Sequence, residues 1–286
     1  MKGWPASLVG RGGWLDLKWQ YLSATGPARR NRERYSEVES YCMFIGTPRS
    51  GHSLVGAFLD AHPDAVVAHE QNALKYIQAG FDRERLFHLL LENSRASARE
   101  GRMEGAYSYS VPGQWQGRHR RLRVIGDKKG GSSSRLLARY PDLLERLRNT
   151  VRVPLRVIHV VRNPFDNIAT MALHSARGRA VDLPVDADHY FERCEVVARI
   201  EGDLAPGELY RTTHEEFLAD PRAGLEGLLR WLGLDPESGL VQACVATVRT
   251  RPHQSRQKVD WPPEVLRDVE RRIGDCPFLT GYSFEE

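Results

Sequence analysis

The chain has 286 residues, 41% of them apolar and none gathered into a long biased tract, which excludes a disordered or fibrous protein and suits a folded α/β domain with a substantial core. No stretch approaches the roughly 18 consecutive apolar residues of a membrane-spanning helix, and the first forty lack the unbroken apolar core of a secretory signal; the expectation is a cytoplasmic protein without a stable membrane anchor. With 41 Lys and Arg against 37 Asp and Glu, the charge does not call for nucleic acid, and it favours an anionic ligand only where cations converge on one cleft.

Residues 1–40 show little periodicity and carry the basic run PARRNRERY. They read as a loosely structured arm with a short helix around Leu15 to Leu22. From residue 41 to 286 the pattern fits one domain. YCMFIG is a short apolar run closed by glycine, the mark of a buried strand, and SLVGAFLDAHP after it has helical spacing. DAVVA is a second strand, and residues 70–100 are helical, with Leu86, Leu89 and Leu90 along one face. EGAYSYSVPGQWQGRHRR reads as a long surface loop. LRVIGD is the third strand, SSSRLLARYPDLLERL one or two helices, and LRVIHVV the fourth strand. In RNPFDNIATMALHSA, Asn163 caps a helix whose first position is Pro164. ELYRTT is the fifth strand, DPRAGLEGLLRWLGL a helix ended by glycine, and the last helix follows WPP.

Short apolar strands alternating with helices predict a three-layer α/β fold, a mainly parallel sheet flanked by helices; with the glycine-bounded stretch FIGTPRSGHSL after its first strand it resembles the fold of P-loop nucleoside triphosphate hydrolases. Ligands of such sheets lie beyond the carboxyl ends of the strands, which is where Gly46–Ser53, Glu70, Asp127–Gly131 and Arg162–Thr170 fall. Cys42, Cys194, Cys244 and Cys276 are scattered without a C-x-x-C pair, which suits reduced thiols and provides no metal framework.

The stretch FIGTPRSGHSL is close to a phosphate-binding loop. Gly46 and Gly51 stand at the two glycines of G-x-x-x-x-G-K-[ST] and Ser53 at its hydroxyl, while His52 replaces the lysine and a cation appears instead at Arg49. A loop of this kind turns successive backbone N–H groups toward one anion, and the dipole of the helix that follows adds to them.

Three stretches, GTPRSGHSL, HVVRNPFDNIATM and SRQKVDWPPE, resemble the sulfotransferases that use 3′-phosphoadenosine 5′-phosphosulfate, over most of the chain from about Tyr41. The resemblance implies a donor loop of Thr47, Pro48, Arg49, Ser50, Gly51, His52 and Ser53, with Arg49 on the oxygen between phosphorus and sulfur. It also implies a 3′-phosphate site at Arg162 and Thr170, and a closing segment carrying Arg256 and Lys258. The stretch DAHPDAVVAHEQNAL resembles the tyrosylprotein and carbohydrate branch, which makes Glu70 the base for the acceptor hydroxyl and Lys128 a cation on the sulfuryl group. No metal is implied. The chain departs from the family at His52, where threonine or serine is usual, at Lys129, where that branch has aspartate, and at His214, where tyrosine is usual and to which no role is assigned.

Two other functions fit parts of the pattern. A P-loop kinase would use Asp127 and Ser53 around Mg²⁺, and a non-catalytic nucleotide-binding protein would keep the fold alone. RNA binding through GRHRRLR lacks an aromatic platform. The loop of residues 101–121, with Tyr107, Tyr109 and Trp115, is expected to form the wall or lid of a pocket for a hydroxyl-bearing acceptor, a small molecule, glycan or glycolipid.

Overall fold

A computed structural model describes residues 11–105, 107–248 and 253–285. Its main sheet has five strands, β1 (Ser40–Ile45), β2 (Ala65–Ala68), β5 (Val124–Asp127), β6 (Leu155–Val161) and β7 (Leu209–Thr213). The other two, β3 (Met103–Glu104) and β4 (Tyr107–Ser108), form a separate antiparallel hairpin. The main sheet has the order β2-β5-β1-β6-β7, with every adjacent pair parallel.

The strands are unbroken apolar runs because both faces of the sheet are covered. In β1, Tyr41, Met43 and Ile45 enter one core with helices Arg83–Arg99 and Leu143–Val151. Cys42 and Phe44 enter a second core on the opposite face, with helices His52–Asp60 and Pro221–Trp231. A third cluster joins helices Pro164–Ala176, Leu183–Gly202 and Pro263–Gly274. The chain passes from β5 to β6 across the central β1, so the strand order reverses beside the carboxyl end of β1, the crevice where α/β sheets take their ligands.

Two segments differ from the sequence expectation. In place of a short helix around Leu15–Leu22, a helix runs from Arg11 to Arg30. Leu17, Ala24 and Ala28 are buried along it, the Tyr21 ring meets Phe81 edge-on at 5.1 Å, and the Tyr76 hydroxyl donates to Gln20 Oε1 at 2.6 Å. Gly26 and Pro27 weaken its intrinsic propensity, and packing against helix Arg83–Arg99 supplies what propensity does not.

The loop of residues 101–121 is likewise no simple surface loop. Arg102 is fully buried and ion-paired with the equally buried Asp60. Asp60 also accepts from Val67 N at 2.7 Å, from the Ser94 hydroxyl and from Gly117 N at 3.1 Å. Three hydrogen-bond donors and one guanidinium balance the buried carboxylate. They also fix both ends of the segment that projects the β3–β4 hairpin. Among the described residues, no helix is long and apolar enough to cross a membrane.

Candidate active site

A cleft of about 930 Å³ opens at the carboxyl ends of the strands. It is lined by seven cationic side chains, Arg49, Lys128, Lys129, Arg135, Arg162, Arg193 and Lys258, against the carboxylates Glu70 and Glu104. The cationic side chains outnumber the carboxylates there, and such a lining favours an anionic ligand.

The loop after β1 is built by backbone geometry. Gly46 N donates to the Ser134 hydroxyl at 2.9 Å, and Arg49 has φ 69. Gly51 has φ 104, and a Cβ there would lie 2.5 Å from His214 Nδ1, so glycine is required both for the turn and for the close approach of His214. Asn167 Nδ2 donates to Pro48 O at 2.8 Å and ties the loop to helix Pro164–Ala176. Of the predicted loop residues, Pro48, Arg49, Gly51, His52 and Ser53 line the cleft. Thr47 and Ser50 turn their hydroxyls inward: Thr47 bonds Asn167 Oδ1 at 3.4 Å, and Ser50 donates to Thr47 O at 3.1 Å.

His52 fills space beneath this loop. Its ring meets Phe44 edge-on at 5.6 Å and packs on Gly46 and Gly130, where added Cβ atoms would lie 3.1 Å and 2.5 Å from it. Burial, reinforced by His159 and Lys128, lowers its pKa to about 3 and keeps it neutral. An unfolded chain protonates this histidine below about pH 6.5 and the folded chain does not, so its contribution to stability is present at neutral pH and falls as pH drops from about 6.5 toward 3. The expected loss by pH 5 is about 2 kcal/mol. Denaturant unfolding between pH 8 and pH 5 should show a shallower pH slope in His52→Gln than in the parent protein; equal slopes would contradict this placement.

Lys128, at the end of β5, is the electrostatic centre of the cleft. Its stem lies on Gly56, where a Cβ would come within 2.5 Å of Lys128 Cγ, and its side chain is 1% exposed. Its ammonium donates to Ser53 Oγ at 2.8 Å, Glu70 Oε1 at 3.0 Å and Glu104 Oε2 at 3.2 Å. Glu70, just beyond β2, has φ 61, an uncommon backbone for a residue with a side chain. Asp127 holds that segment by accepting from Gln71 N at 3.0 Å and Ala73 N at 2.8 Å. Burial pushes Asp127 up to about 6 against those two N–H groups. Its carboxylate is thus engaged with backbone donors, where the kinase reading would have it on a metal. Burial would also raise Glu70, but the Lys128 and Lys129 ammonium groups outweigh it and hold the carboxyl at about 2. The Lys129 ammonium donates a hydrogen bond to Glu70 Oε2.

Sequence reasoning misses Glu104. It projects from the β3–β4 hairpin, accepts from the Ser53 hydroxyl and Lys128, and lies 3.5 Å from Arg49 Nη1. A second Arg49 nitrogen reaches the His174 ring at 3.0 Å. The available signal is the glycine pair around it, Gly101 and Gly105, both with positive φ, which marks a tight reversal.

The Arg162 guanidinium lies against the Thr170 hydroxyl. Arg162 is 6% exposed and donates to Arg49 O at 3.0 Å, Thr170 Oγ1 at 3.3 Å and His253 O at 2.6 Å. Among the described residues its Nε is buried without a partner, a donor left over beside the cleft. Thr170 Oγ1 also donates to Asp166 O at 2.7 Å and reaches Ser255 Oγ at 2.9 Å. Asp166 pairs with Arg256, taking its backbone N at 2.9 Å and its guanidinium at 3.4 Å, and so docks the turn Ser255–Lys258. This corrects one expectation: the Arg256 side chain, 3% exposed, is turned onto Asp166, while Ser255 and Lys258 line the cleft. His214 lines it too, and burial, then the nearby Arg162 charge, lowers its pKa to about 4. Among the described residues, no group of three or more His, Cys, Asp or Glu is placed to hold a metal ion.

Residues 43–238 match the family model described as "Sulfotransferase family". The chain belongs to the sulfotransferase family. Its chemistry is sulfuryl transfer. By fold it is similar to the sulfotransferase domain from the curacin biosynthetic pathway, with 14% identity and a TM-score of 0.53 over 83% of this chain and 97% of that one. It is similar as well to the sulfotransferase domain of the Synechococcus PCC 7002 olefin synthase, with 12% identity and a TM-score of 0.50 over 82% and 93% of the two chains. A search of curated proteins finds no match. At these identities the structural likeness concerns the fold.

Proposed function

We propose that this sulfotransferase moves a sulfuryl group from 3′-phosphoadenosine 5′-phosphosulfate to a hydroxyl of a small-molecule, glycan or glycolipid acceptor, with Glu70 as the base. The observation that supports the reading is a pair of basic subsites in one cleft: the loop with Ser53 and Lys128, and the buried Arg162, whose Nε has no partner among the described residues, with Thr170 and Ser255. A donor with a phosphate at each end of its ribose needs both. When bound, it supplies an electrophilic sulfur whose leaving oxygen takes up negative charge.

The loop N–H groups and the Ser53 hydroxyl bind the 5′-phosphate, and Arg162, Thr170, Ser255 and Lys258 the 3′-phosphate. Arg49 and Lys128 stabilise charge on the bridging oxygen and the sulfuryl group, a preorganised electrostatic role. Glu70 takes the hydroxyl proton as the acceptor oxygen forms its bond to sulfur and the bridging oxygen leaves with the electron pair. A carboxylate held at about 2 by two lysines is a weak base; Glu70 gains basicity as Lys128 turns toward the anionic groups in the loop.

Glu104 occupies the same donors and competes with an incoming anion. Titration with 3′-phosphoadenosine 5′-phosphate in the presence of EDTA tests both points. Binding should persist without metal, and Glu104→Gln should tighten it by roughly tenfold, the size of one charged hydrogen bond. Binding of Mg-ATP alone would sink the donor assignment, and weaker binding by Glu104→Gln would show that its carboxylate assists the donor.

A further inference from the structure

The donor reading uses Arg49, Lys128, Arg162 and Lys258, and leaves three cleft cations over: Lys129, Arg135 and Arg193. Lys129 is neutralised by Glu70. Arg135, on helix Gly130–Arg139, and Arg193, on the helix Leu183–Gly202 packed against it, form no ion pair among the described residues. Arg135 Nη2 has only the Ser132 hydroxyl at 3.4 Å, and Arg193 Nη1 donates to His189 O at 2.7 Å. The acids that act on Arg193 are Glu192 and Asp186, and neither pairs with it; Asp186 is engaged by the Ser175 hydroxyl at 3.0 Å.

Arg135 and Arg193 stand on helices that pack against each other and both line the cleft; burial, followed by the repulsion of Arg135, lowers the Arg193 pKa. Two like charges lining one cleft, neither ion-paired among the described residues, are an unfavourable arrangement that a bound anion relieves. Leu173, 39% exposed, and Tyr107, 48% exposed, add apolar surface to the same cleft.

We infer that Arg135 and Arg193 form an acceptor subsite for a fixed negative charge, so that the preferred acceptor carries, besides its reacting hydroxyl, a carboxylate or a similar oxyanion. This rests on the sulfotransferase reading above, since it assigns the Arg162 site to the donor. Guanidinium forks suit such groups because they give two parallel charge-assisted hydrogen bonds.

The test uses a matched pair of ligands, para-nitrophenyl glucuronide and para-nitrophenyl glucoside, which differ in one carboxylate. Each is titrated calorimetrically into the protein, with and without saturating 3′-phosphoadenosine 5′-phosphate. The glucuronide should bind at least tenfold more tightly, a difference of about 1.4 kcal/mol. The double variant Arg135→Gln, Arg193→Gln should lose that preference while binding the nucleotide as the parent does. Equal binding of the two glycosides, binding of neither at millimolar concentration, or a preference that survives the double substitution would overturn the subsite. Failure of the nucleotide to bind would instead overturn the donor reading, and the glycoside preference is then read from the titrations without nucleotide.

Discussion

Glu70→Gln is expected to lower kcat by about 10²- to 10⁴-fold, the usual contribution of a positioned general base, and to leave nucleotide binding nearly unchanged. The substitution keeps the size of the side chain and removes the proton acceptor. The segment that carries it is held independently by Asp127 through Gln71 N and Ala73 N, so the backbone at residue 70 should keep its left-handed turn. Lys128 would lose one of its two carboxylate partners and keep Glu104 and Ser53. Paired measurements of turnover and of nucleotide affinity separate the roles: equal turnover in both proteins would remove Glu70 from the chemistry, and a loss of affinity alone would make it a binding residue.

Arg162→Ala is the second large effect. The guanidinium is nearly enclosed, and removing one partner from a buried charged contact costs on the order of 2–5 kcal/mol. Affinity for 3′-phosphoadenosine 5′-phosphate should fall by about 30-fold or more. Some of that loss would come from freeing Arg49 O and His253 O, which Arg162 holds at 3.0 Å and 2.6 Å. Adenosine 5′-phosphosulfate, which lacks the 3′-phosphate, supplies the control. Its affinity should change far less, and an equal loss for both ligands would mean that Arg162 only supports the loop.

Both experiments rest on positions visible in the sequence, and the reason is physical. The strands are buried on both faces, so YCMFIG and LRVIHVV stand out as apolar runs, and the residues just past their carboxyl ends fall into one crevice by topology alone. The helix Arg11–Arg30 is hidden because Gly26 and Pro27 lie within it and its stability comes from contacts with a helix more than fifty residues away. Glu104 is hidden for a related reason. Its meaning arises only when Arg102, buried on Asp60, brings the hairpin over Ser53 and Lys128. Arg256 shows a different limit, because a basic residue in a closing segment reads as a ligand contact until Asp166 is seen to claim it. His52, in the place of a Walker lysine, packs on Gly46 and Gly130, while the cation of the loop is Arg49.

Sulfuryl transfer with Glu70 as base is measured as transfer of label from 3′-phosphoadenosine 5′-phosphosulfate, radioactive in its sulfuryl group, to the matched glucuronide and glucoside in the presence of EDTA. Labelled product is expected from the parent protein without metal, more from the glucuronide, with a loss of about 10²-fold or more in Glu70→Gln. Nucleotide bound tightly with no label transferred to either acceptor, or transfer equal in the parent and in Glu70→Gln, would contradict it.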